Sequence, residues 1–521
     1  MTLVRSIATI GGYTMGSRVF GFVREILMAR FLGASIVADA FVLALKFPSM
    51  FRKILAEGAF NAAFVPMISG ILATKGKDEA RRFAEEILMV LLVVLFILVA
   101  VVEIFMPEIL SVVAHGFSKT PERFQLAVQF TRITFPFIFF MSLTALYSGI
   151  LNSLDKFAAV ASSPMVGNII IIAIVYLLMG FGLATDGYAF SVGVLVCGIV
   201  QFVWVLVPTF KNHIVLHLSR PQFTPRVKKF FKLLGPALAG SGVVQISLLL
   251  DLLIATFLPA GGVSFIHYAD RLVQLPISVL GTAVGTALLP LLSKQIRAEE
   301  YQKAEQSQNL ALEYALLLTF PAMIGLILLA KPLVHVLFEH GHFSAYATEQ
   351  TSYVLIALAM GLPAYILIKV FSSTFFAREN TLIPFIAAAI GIVTNLVLAL
   401  CLVRSYGHVG IGIATAISSW VNVGILVYKL WQHKQFHLND RIKHFIPRML
   451  VAGFFTSLAI LILKSLVGPL LEGSYSDKIL ALVYLVGGGI ISFMSIAQLA
   501  GALNFIEAKK KFKKIKFGEE S

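Results

Sequence analysis

The stretch ADAFVLALKFPSMFRKILAEGAFNAAFVP (residues 38–66) carries charged side chains inside an otherwise apolar run. These side chains are Asp39, Lys46, Arg52, Lys53 and Glu57. Apolar runs of about 18 or more residues are typical of membrane-spanning helices. Such runs follow one another along the whole chain. The stretch therefore predicts a charged membrane-crossing segment within an all-α polytopic membrane protein.

The composition agrees with a membrane protein and argues against several other classes. Of the 521 residues, 58% are hydrophobic and 13% are charged, and the mean hydropathy is +0.88. A net charge of +15 would suggest nucleic acid in a soluble protein. Here the basic residues gather in short loops, as membrane orientation requires, so no nucleic-acid partner is expected. Cys197 and Cys401 lie far apart without CxxC spacing, which predicts neither a zinc nor a redox site.

We predict fourteen transmembrane helices from the apolar runs. They lie near 6–32, 36–73, 85–114, 124–151, 158–181, 187–210, 230–258, 264–293, 307–330, 346–376, 382–403, 410–431, 445–467 and 479–505. With both termini cytoplasmic, the cytoplasmic segments hold 27 Lys and Arg and the opposite loops hold six. This asymmetry predicts the orientation. Arg18 and Arg24 interrupt the first run, so we expect it to remain as a helix rather than serve as a cleaved signal peptide.

The same six-helix unit is predicted twice. AFNAAFVPMIS (59–69) resembles AVGTALLPLLS (283–293), and Pro136 and Asn168 recur 227 residues later as Pro363 and Asn395. Six helices return the chain to the starting side, so the repeats are parallel and a cleft is expected between the two bundles. The alternative is chance similarity between helix-rich segments. The predicted organisation is an N-lobe at 1–210, a linker at 211–228, a C-lobe at 229–434, helices 13 and 14 at 435–506, and a basic tail at 507–521.

The first two predicted helices hold six cationic and three acidic side chains. These are Arg18, Arg24, Arg30, Lys46, Arg52 and Lys53 against Glu25, Asp39 and Glu57. One charge at mid-membrane costs about 2.5–3.5 kcal/mol, so these side chains are expected to face protein or a water-filled cavity. The alternative is an ion-pair network between the two helices with some ends snorkelling. Surplus arginine favours an anion such as a diphosphate, because arginine binds phosphate in a bidentate manner.

Several motifs resemble one family along essentially the whole chain. They are the opening stretch, TRITFPFIFF (131–140), GILNSLDKFAAVASSP (149–164), HYADRLVQLPISVLGTAVGTALLP (267–290) and FFARENTLIPF (375–385). They resemble the MurJ/MviN lipid II flippases of the multidrug/oligosaccharidyl-lipid/polysaccharide exporter superfamily. The resemblance implies transport of lipid II, the polyprenyl-diphosphate-linked peptidoglycan precursor, from the cytoplasmic to the periplasmic leaflet of a bacterial inner membrane by alternating access. It also implies that helices 13 and 14 form a groove for the polyprenyl tail.

The resemblance also implies cavity residues that hold the substrate, namely Arg18, Arg24, Arg52, Arg271, Asp39 and Glu57. Ser17, Lys46 and Asp270 beside them complete the predicted set of substrate-binding residues. A candidate ion site would comprise Asp251, Asn395 and Thr415, although a protonated or helix-bonded Asp251 explains that carboxylate equally well. Ala399 supplies no second carboxylate one turn beyond Asn395. No cofactor is expected, and coupling to Na+, to H+ or to the membrane potential alone stays open. The expected partners are lipid II or a related glycolipid and membrane lipids, with the protein acting as a monomer.

Two other functions compete with a lipid II flippase. One is a flippase for another lipid-linked oligosaccharide of the same superfamily. The other is a membrane glycosyltransferase that uses a polyprenyl-linked donor, which should show acidic residues placed for acid–base chemistry and a large extracytoplasmic loop. The loops on that side are short, and GxxxxGK[ST] and HExxH motifs are absent from the sequence, so a transporter rather than an enzyme is predicted.

Overall fold

The fold is described by a computed structural model. It covers residues 3–54, 59–437 and 439–502, with side chains placed except at 3–8, 59, 237, 239–244, 246, 280 and 282–286. All regular secondary structure within these ranges is helical. Glu57 and the predicted basic tail at 507–521 lie outside the described residues.

Eighteen α-helices and a short 3-10 helix, His115–Lys119, occur in the described ranges. The α-helices are α1 Leu3–Leu32, α2 Ile36–Arg52, α3 Ala59–Lys75, α4 Lys77–Ile104, α5 Met106–Val113, α6 Pro121–Thr134, α7 Phe137–Ser153, α8 Phe157–Gly180, α9 Asp186–Lys211, α10 Pro225–Thr256, α11 Gly262–Arg297, α12 Tyr301–Leu328, α13 Ala330–Phe338, α14 Ala345–Ala359, α15 Leu362–Phe376, α16 Leu382–Gln432, α17 Asp440–Leu471 and α18 Tyr475–Leu499.

Several of these helices begin at residues suited to capping. The Ser35 hydroxyl accepts a hydrogen bond from the Ala38 amide at the start of α2, at 3.2 Å. Thr224 caps α10, and Ser474 and Asp477 form a reciprocal capping box at the start of α18. Such side chains satisfy backbone amides that have no partner within the first turn of a helix.

Several predicted helices are broken into two, which corrects the predicted boundaries. Breaks precede α5, α7 and α15, where Pro107, Pro136 and Pro363 stand at or beside the new start. The helix predicted at 36–73 is described as α2 and α3, and residues 55–58 between them lie outside the described residues. Proline lacks an amide hydrogen and clashes with the preceding turn, so it favours a helix start over a helix interior.

The predicted helices at 382–403 and 410–431 both lie within α16. They are two helical segments that meet at a kink, where Gly407 has non-helical backbone angles, with φ 53° and ψ −131°. A positive φ is readily adopted by glycine because it has no Cβ. The interruption at Gly407 falls between the two predicted helices.

Within the described residues, nine segments are long and apolar enough to cross a membrane. They are Lys77–Ile104, Pro121–Ser153, Phe157–Gly180, Asp186–Lys211, Tyr301–Leu328, Ala345–Phe376, Leu382–Gln432, Asp440–Leu471 and Tyr475–Leu499. The chain is thus an all-helical integral membrane protein, and the count of fourteen crossings stays a prediction.

The chain divides into two compact units. Unit 1 comprises Met1–Ser264 and His340–Ser344, and unit 2 comprises Phe265–Glu339 and Ala345–Ser521. The core of unit 1 includes Phe60, Phe64 and Phe83, whereas that of unit 2 includes Phe371 and Phe375. The predicted lobe boundary at 229 falls inside α10, which belongs to unit 1.

Each unit contains the same polar contact at the end of its sixth predicted crossing. In unit 1, the His217 amide and Nδ1 both lie near Glu85 Oε1, at 3.0 and 3.1 Å. In unit 2, the His437 amide and Nδ1 meet Glu305 Oε1 at 2.9 and 3.1 Å. Both pairs are separated by 132 residues in the sequence. The two units therefore share a local geometry as well as sequence landmarks.

Candidate functional site

Arg24 is one of the cationic residues that unit 1 carries on α1 and α2. Its Nη1 donates to Asn168 Oδ1 of α8 at 3.0 Å, and its Nη2 donates to Glu25 Oε1 at 2.6 Å. The Glu25 side chain is 2% exposed, whereas that of Arg24 is 20% exposed. The guanidinium is therefore held from one side by α8 and by its own helix, while part of it remains accessible.

Asn168 fastens α8 to α1 at this point. Its amide nitrogen donates to the Ser17 carbonyl and to the Pro164 carbonyl, both at 3.1 Å. Gly21 permits the close approach, since a Cβ there would lie 3.3 Å from Asn168 Nδ2. Ser17 therefore contributes its carbonyl to the positioning of Asn168, and Asn168 in turn orients Arg24.

The remaining cations of the first two helices differ in their burial. Arg24 and Arg52 both lie within electrostatic range of the Cys197 sulfur on α9. Arg18, Lys46 and Arg52 are half-buried. By contrast, Arg30 and Lys53 are exposed. We call Arg18, Arg24 and Arg52 the arginine cluster; as substrate contacts these residues stay predictions.

Asp39 lies in a closed environment rather than beside the arginine cluster. Its carboxylate is fully buried and pairs with Arg123 Nη2 of α6 at 2.6 Å. It also accepts hydrogen bonds from the Gly261 amide at 2.7 Å, the Ser264 amide at 2.8 Å and the Ser264 hydroxyl at 2.6 Å. This set fills its acceptor positions, so Asp39 is built as a structural anchor.

Arg123 is equally well satisfied. Its Nη1 donates to the Leu258 carbonyl at 2.9 Å, and its guanidinium lies 3.9 Å from the centre of the Phe117 ring. The sequence places Arg123 in a short loop opposite the cytoplasmic side, yet the structure buries it near the start of α6. Sequence reasoning missed this partner because the two residues are 84 positions apart.

The pairing of Asp39 with Arg123 changes the charge balance of the first two helices. Asp39 is one of only three acidic side chains in the sequence of α1, α2 and the segment that follows. With its carboxylate engaged by α6, the seven cations there, Arg5 included, are balanced within this stretch of sequence only by Glu25 and Glu57. The surplus of positive charge is therefore larger than the sequence alone indicates.

The other predicted site residues lie on α10, α11 and α16. In unit 2, Asp270 Oδ1 accepts a hydrogen bond from Gln274 Nε2 at 3.4 Å, and Arg271 is half-buried. Asp251 lies on α10 of unit 1, whereas Asn395 and Thr415 lie on α16 of unit 2. The Thr415 hydroxyl donates to the Ile411 carbonyl at 2.9 Å. Among the described residues, no three His, Cys, Asp or Glu side chains are grouped to hold a metal ion.

Comparison with known proteins identifies the family. The family model for "Lipid II flippase MurJ" matches residues 28–480. The chain belongs to the MurJ family. It is 38% identical over 519 residues to a probable lipid II flippase MurJ of Rhizobium meliloti, covering 99% of this chain and 97% of that protein. It is 35% identical over 428 residues to the lipid II flippase MurJ of Burkholderia cenocepacia, covering 81% and 82%.

Solved structures of the MurJ family and of a related family share the fold. A lipid II flippase MurJ in an inward closed conformation matches with a TM-score of 0.77 and 28% identity, over 94% of this chain and 98% of that one. An inward-facing MATE multidrug transporter of the MOP superfamily matches with a TM-score of 0.67 and 17% identity, over 82% and 98%. The first likeness agrees with MurJ membership, and the second shows a common fold alone.

Proposed function

We propose that this protein is a flippase that moves lipid II from the cytoplasmic to the periplasmic leaflet of a bacterial inner membrane. The observation that carries the proposal is the cationic surplus of α1 and α2, which remains after Asp39 is engaged by Arg123. Charge inside membrane-spanning segments is costly, and it commonly marks the pathway of a substrate or an ion. The names of the MurJ relatives agree with a lipid II substrate and with a role in peptidoglycan synthesis.

The arginine cluster suits a diphosphate headgroup. Guanidinium groups remain protonated at all physiological pH values and form paired hydrogen bonds to phosphate oxygens. Arg24 is oriented by Asn168 while one-fifth of its side chain stays exposed, so it is prepared to bind an anion. We propose that Arg18, Arg52 and Arg271 contact the same headgroup, and that Lys46, Glu57 and Asp270 adjust its binding.

We propose that the chain crosses the membrane fourteen times as two parallel six-helix repeats followed by α17 and α18. The matching His217–Glu85 and His437–Glu305 contacts support the repeat. So do the helix breaks at Pro136 and at Pro363, which lie 227 residues apart. The distribution of Lys and Arg supports cytoplasmic termini. In this arrangement α17 and α18 hold the polyprenyl tail.

Transport is proposed to proceed by alternating access in a monomer without a cofactor. The membrane potential acts on a headgroup carrying negative charge, at about 2.3 kcal/mol per charge for each 100 mV. Moving the anion outward is favoured by a potential that is negative inside. Coupling to Na+ or H+ at Asp251 is the alternative energy source, with Asn395 and Thr415 as the other proposed ligands.

The test is leaflet accessibility of lipid II in a bacterium depleted of its own flippase. Cells expressing the wild-type chain should expose lipid II to a membrane-impermeant reagent, whereas Arg24→Ala and Arg52→Ala should not. Arg297→Ala is the matched control, because Arg297 is 78% exposed and its partner Glu379 is 84% exposed. It should restore accessibility fully.

The outcomes separate an anion-binding role from a folding role. Each variant is quantified in the membrane fraction, so that failure to insert is recognised. Full accessibility with both Arg24→Ala and Arg52→Ala would contradict the role of the arginine cluster. No accessibility with the wild-type chain, when it is inserted at normal levels, would contradict the flippase proposal itself.

A further inference from the structure

Lys369 is a cation in an apolar crossing that the arginine cluster does not include. It lies on α15, within the candidate membrane-spanning segment Ala345–Phe376. Ile366, Leu367 and Val370 around it are buried, while Lys369 itself is exposed. The helix therefore packs through its apolar face and directs this lysine away from the core of unit 2.

The ammonium group of Lys369 lies against the backbone of α11 at Gly281. A Cβ at Gly281 would collide with Lys369 Nζ and would lie 3.3 Å from its Cδ and Cε. Gly281 is about 24 Å or more from either end of α11, at 1.5 Å per residue. The lysine therefore lies beside the middle of α11, seven residues before the end of its own helix.

The charge of Lys369 is uncompensated within the part of the chain that the structure describes. No hydrogen bond or ion pair to its ammonium group occurs there, and no charged side chain acts on it. Arg123, by contrast, has a carboxylate, a carbonyl and an aromatic ring as partners. A lone ammonium within an apolar crossing is costly, so it needs water or an anion nearby.

We propose that Lys369, lying over Gly281, is a further anion-binding position of unit 2. It would take an oxyanion, a phosphate or a carboxylate, from the headgroup of the transported lipid; the inference rests on the proposed flippase function. Gly281 supplies the space in which the ammonium lies. Arg271 precedes Gly281 by ten residues on α11, which is about 15 Å along the helix axis.

Arg271 and Lys369 of unit 2 therefore lie at different depths. In the proposed topology α11 runs inward from the periplasmic side. Lys369 then lies on the cytoplasmic side of Arg271, and an incoming headgroup meets it first. A series of cationic positions at different depths lets an anion move in steps without one site binding it too tightly to release, as multi-site pores do.

Direct binding to the purified full chain in lipid nanodiscs tests the proposal. The probes are lipid II and a polyprenyl diphosphate that lacks sugar and peptide. Lys369→Gln should weaken binding about 10-fold or more, because hydrogen bonds to charged groups contribute about 1.5–3 kcal/mol. Lys369→Arg should retain most of the affinity.

Gly281→Ala is the informative second variant, because it keeps the lysine and displaces only its flexible end. It should weaken binding in the same direction, and combination with Lys369→Gln should add little, since both changes remove one interaction. Lys294→Gln removes an exposed charge near the cytoplasmic end of α11. It is the matched control and should leave Kd unchanged.

Each result supports or contradicts the binding role of Lys369. Weaker binding of both probes assigns the diphosphate to Lys369, and weaker binding of lipid II alone assigns another anionic group of the headgroup. Unchanged Kd for both Lys369→Gln and Gly281→Ala overturns the inference. If Arg24→Ala weakens binding in that case, the flippase proposal stands without it. If the wild-type chain binds neither probe, the flippase proposal fails and the inference fails with it.

Discussion

Asp39 of α2 and Arg123 of α6 form an ion pair with an N–O distance of 2.6 Å, and their side chains are 0% and 4% exposed. Buried pairs of this kind stabilise a fold only when their remaining donors and acceptors are satisfied. Here the Gly261 amide and the Ser264 hydroxyl donate hydrogen bonds to the Asp39 carboxylate. The Arg123 guanidinium donates to the Leu258 carbonyl and lies over the Phe117 ring. The pair thus fastens α2 and α6 to the junction of α10 and α11.

Removing one member of the Asp39–Arg123 pair should strongly destabilise the protein. Arg123→Ala leaves a buried carboxylate without its counter-charge and should lower the free energy of unfolding by about 3–5 kcal/mol. Thermal unfolding of the purified protein measures the effect. The double variant Asp39→Asn with Arg123→Gln removes both charges and should be less destabilised than Arg123→Ala alone. Equal stability of Arg123→Ala and wild type would show that the pair contributes nothing.

The Asn168→Asp variant tests whether Arg24 binds an anionic substrate or has only a structural role. The substitution keeps the acceptor oxygen that contacts Arg24 at 3.0 Å and adds a negative charge. If Arg24 serves an anionic substrate, neutralisation by the introduced carboxylate should reduce lipid II accessibility about 10-fold or more, since one charged contact contributes about 1.5–3 kcal/mol. The unfolding temperature should fall in Asn168→Asp and in Asn168→Ser alike, because both changes remove the amide nitrogen that donates to the Ser17 and Pro164 carbonyls. Asn168→Ser, which adds no charge, is the control; normal transport by Asn168→Asp would contradict the binding role.

The contact that the Glu339 carboxyl makes in the segment after α13 should be sensitive to acid. Burial raises the pKa of its carboxyl, but hydrogen bonds from His335 at 2.8 Å and Thr348 at 2.6 Å outweigh this, so the pKa falls below its ordinary value of 4.5. A depressed folded-state pKa gives stability that is present above 4.5 and lost as pH falls through the folded value.

Thermal unfolding between about pH 7 and pH 3 measures this contribution, since the ordinary pKa of glutamate lies inside that range. The wild-type chain should lose stability more steeply at the acid end than Glu339→Gln, which has no proton to gain. Glu299→Gln is the control, because Glu299 is an exposed residue in a turn. Identical pH profiles of stability for wild type and Glu339→Gln would show that this contact does not contribute to stability.

Gly407 and Gly424 provide a matched test of the kink in α16. An added Cβ would meet nothing within 4 Å at either position, and only Gly407 has a positive φ. Gly407→Ala should therefore destabilise the protein by about 1–2 kcal/mol, the penalty of left-handed backbone for a residue with a Cβ. Gly424→Ala lies in regular helix and should be neutral or slightly stabilising. A difference of zero in unfolding temperature would show that the kink is not constrained.

The all-helical fold and the approximate positions of the helices could be predicted from the sequence, because apolar runs of membrane length leave few alternatives to helices. The interruptions could not be placed so well. Pro107, Pro136 and Pro363 begin new helices, whereas Pro164 and Pro208 lie inside α8 and α9 without ending them. Whether a proline breaks a helix depends on what neighbouring helices supply to the freed backbone carbonyls, and that information is not local.

The sequence by itself determined the membrane class, the family and the concentration of charge in the first two helices, since hydropathy and motifs are properties of neighbouring residues. Only the tertiary structure decided which charges are engaged. It paired Asp39 with Arg123 across 84 residues and joined Arg24 to Asn168 across 144. The helical periodicity around Asp39 is compatible with an open cavity as well as with a closed pair. The choice depends on which residue another helix brings within about 3 Å, where a hydrogen bond can form.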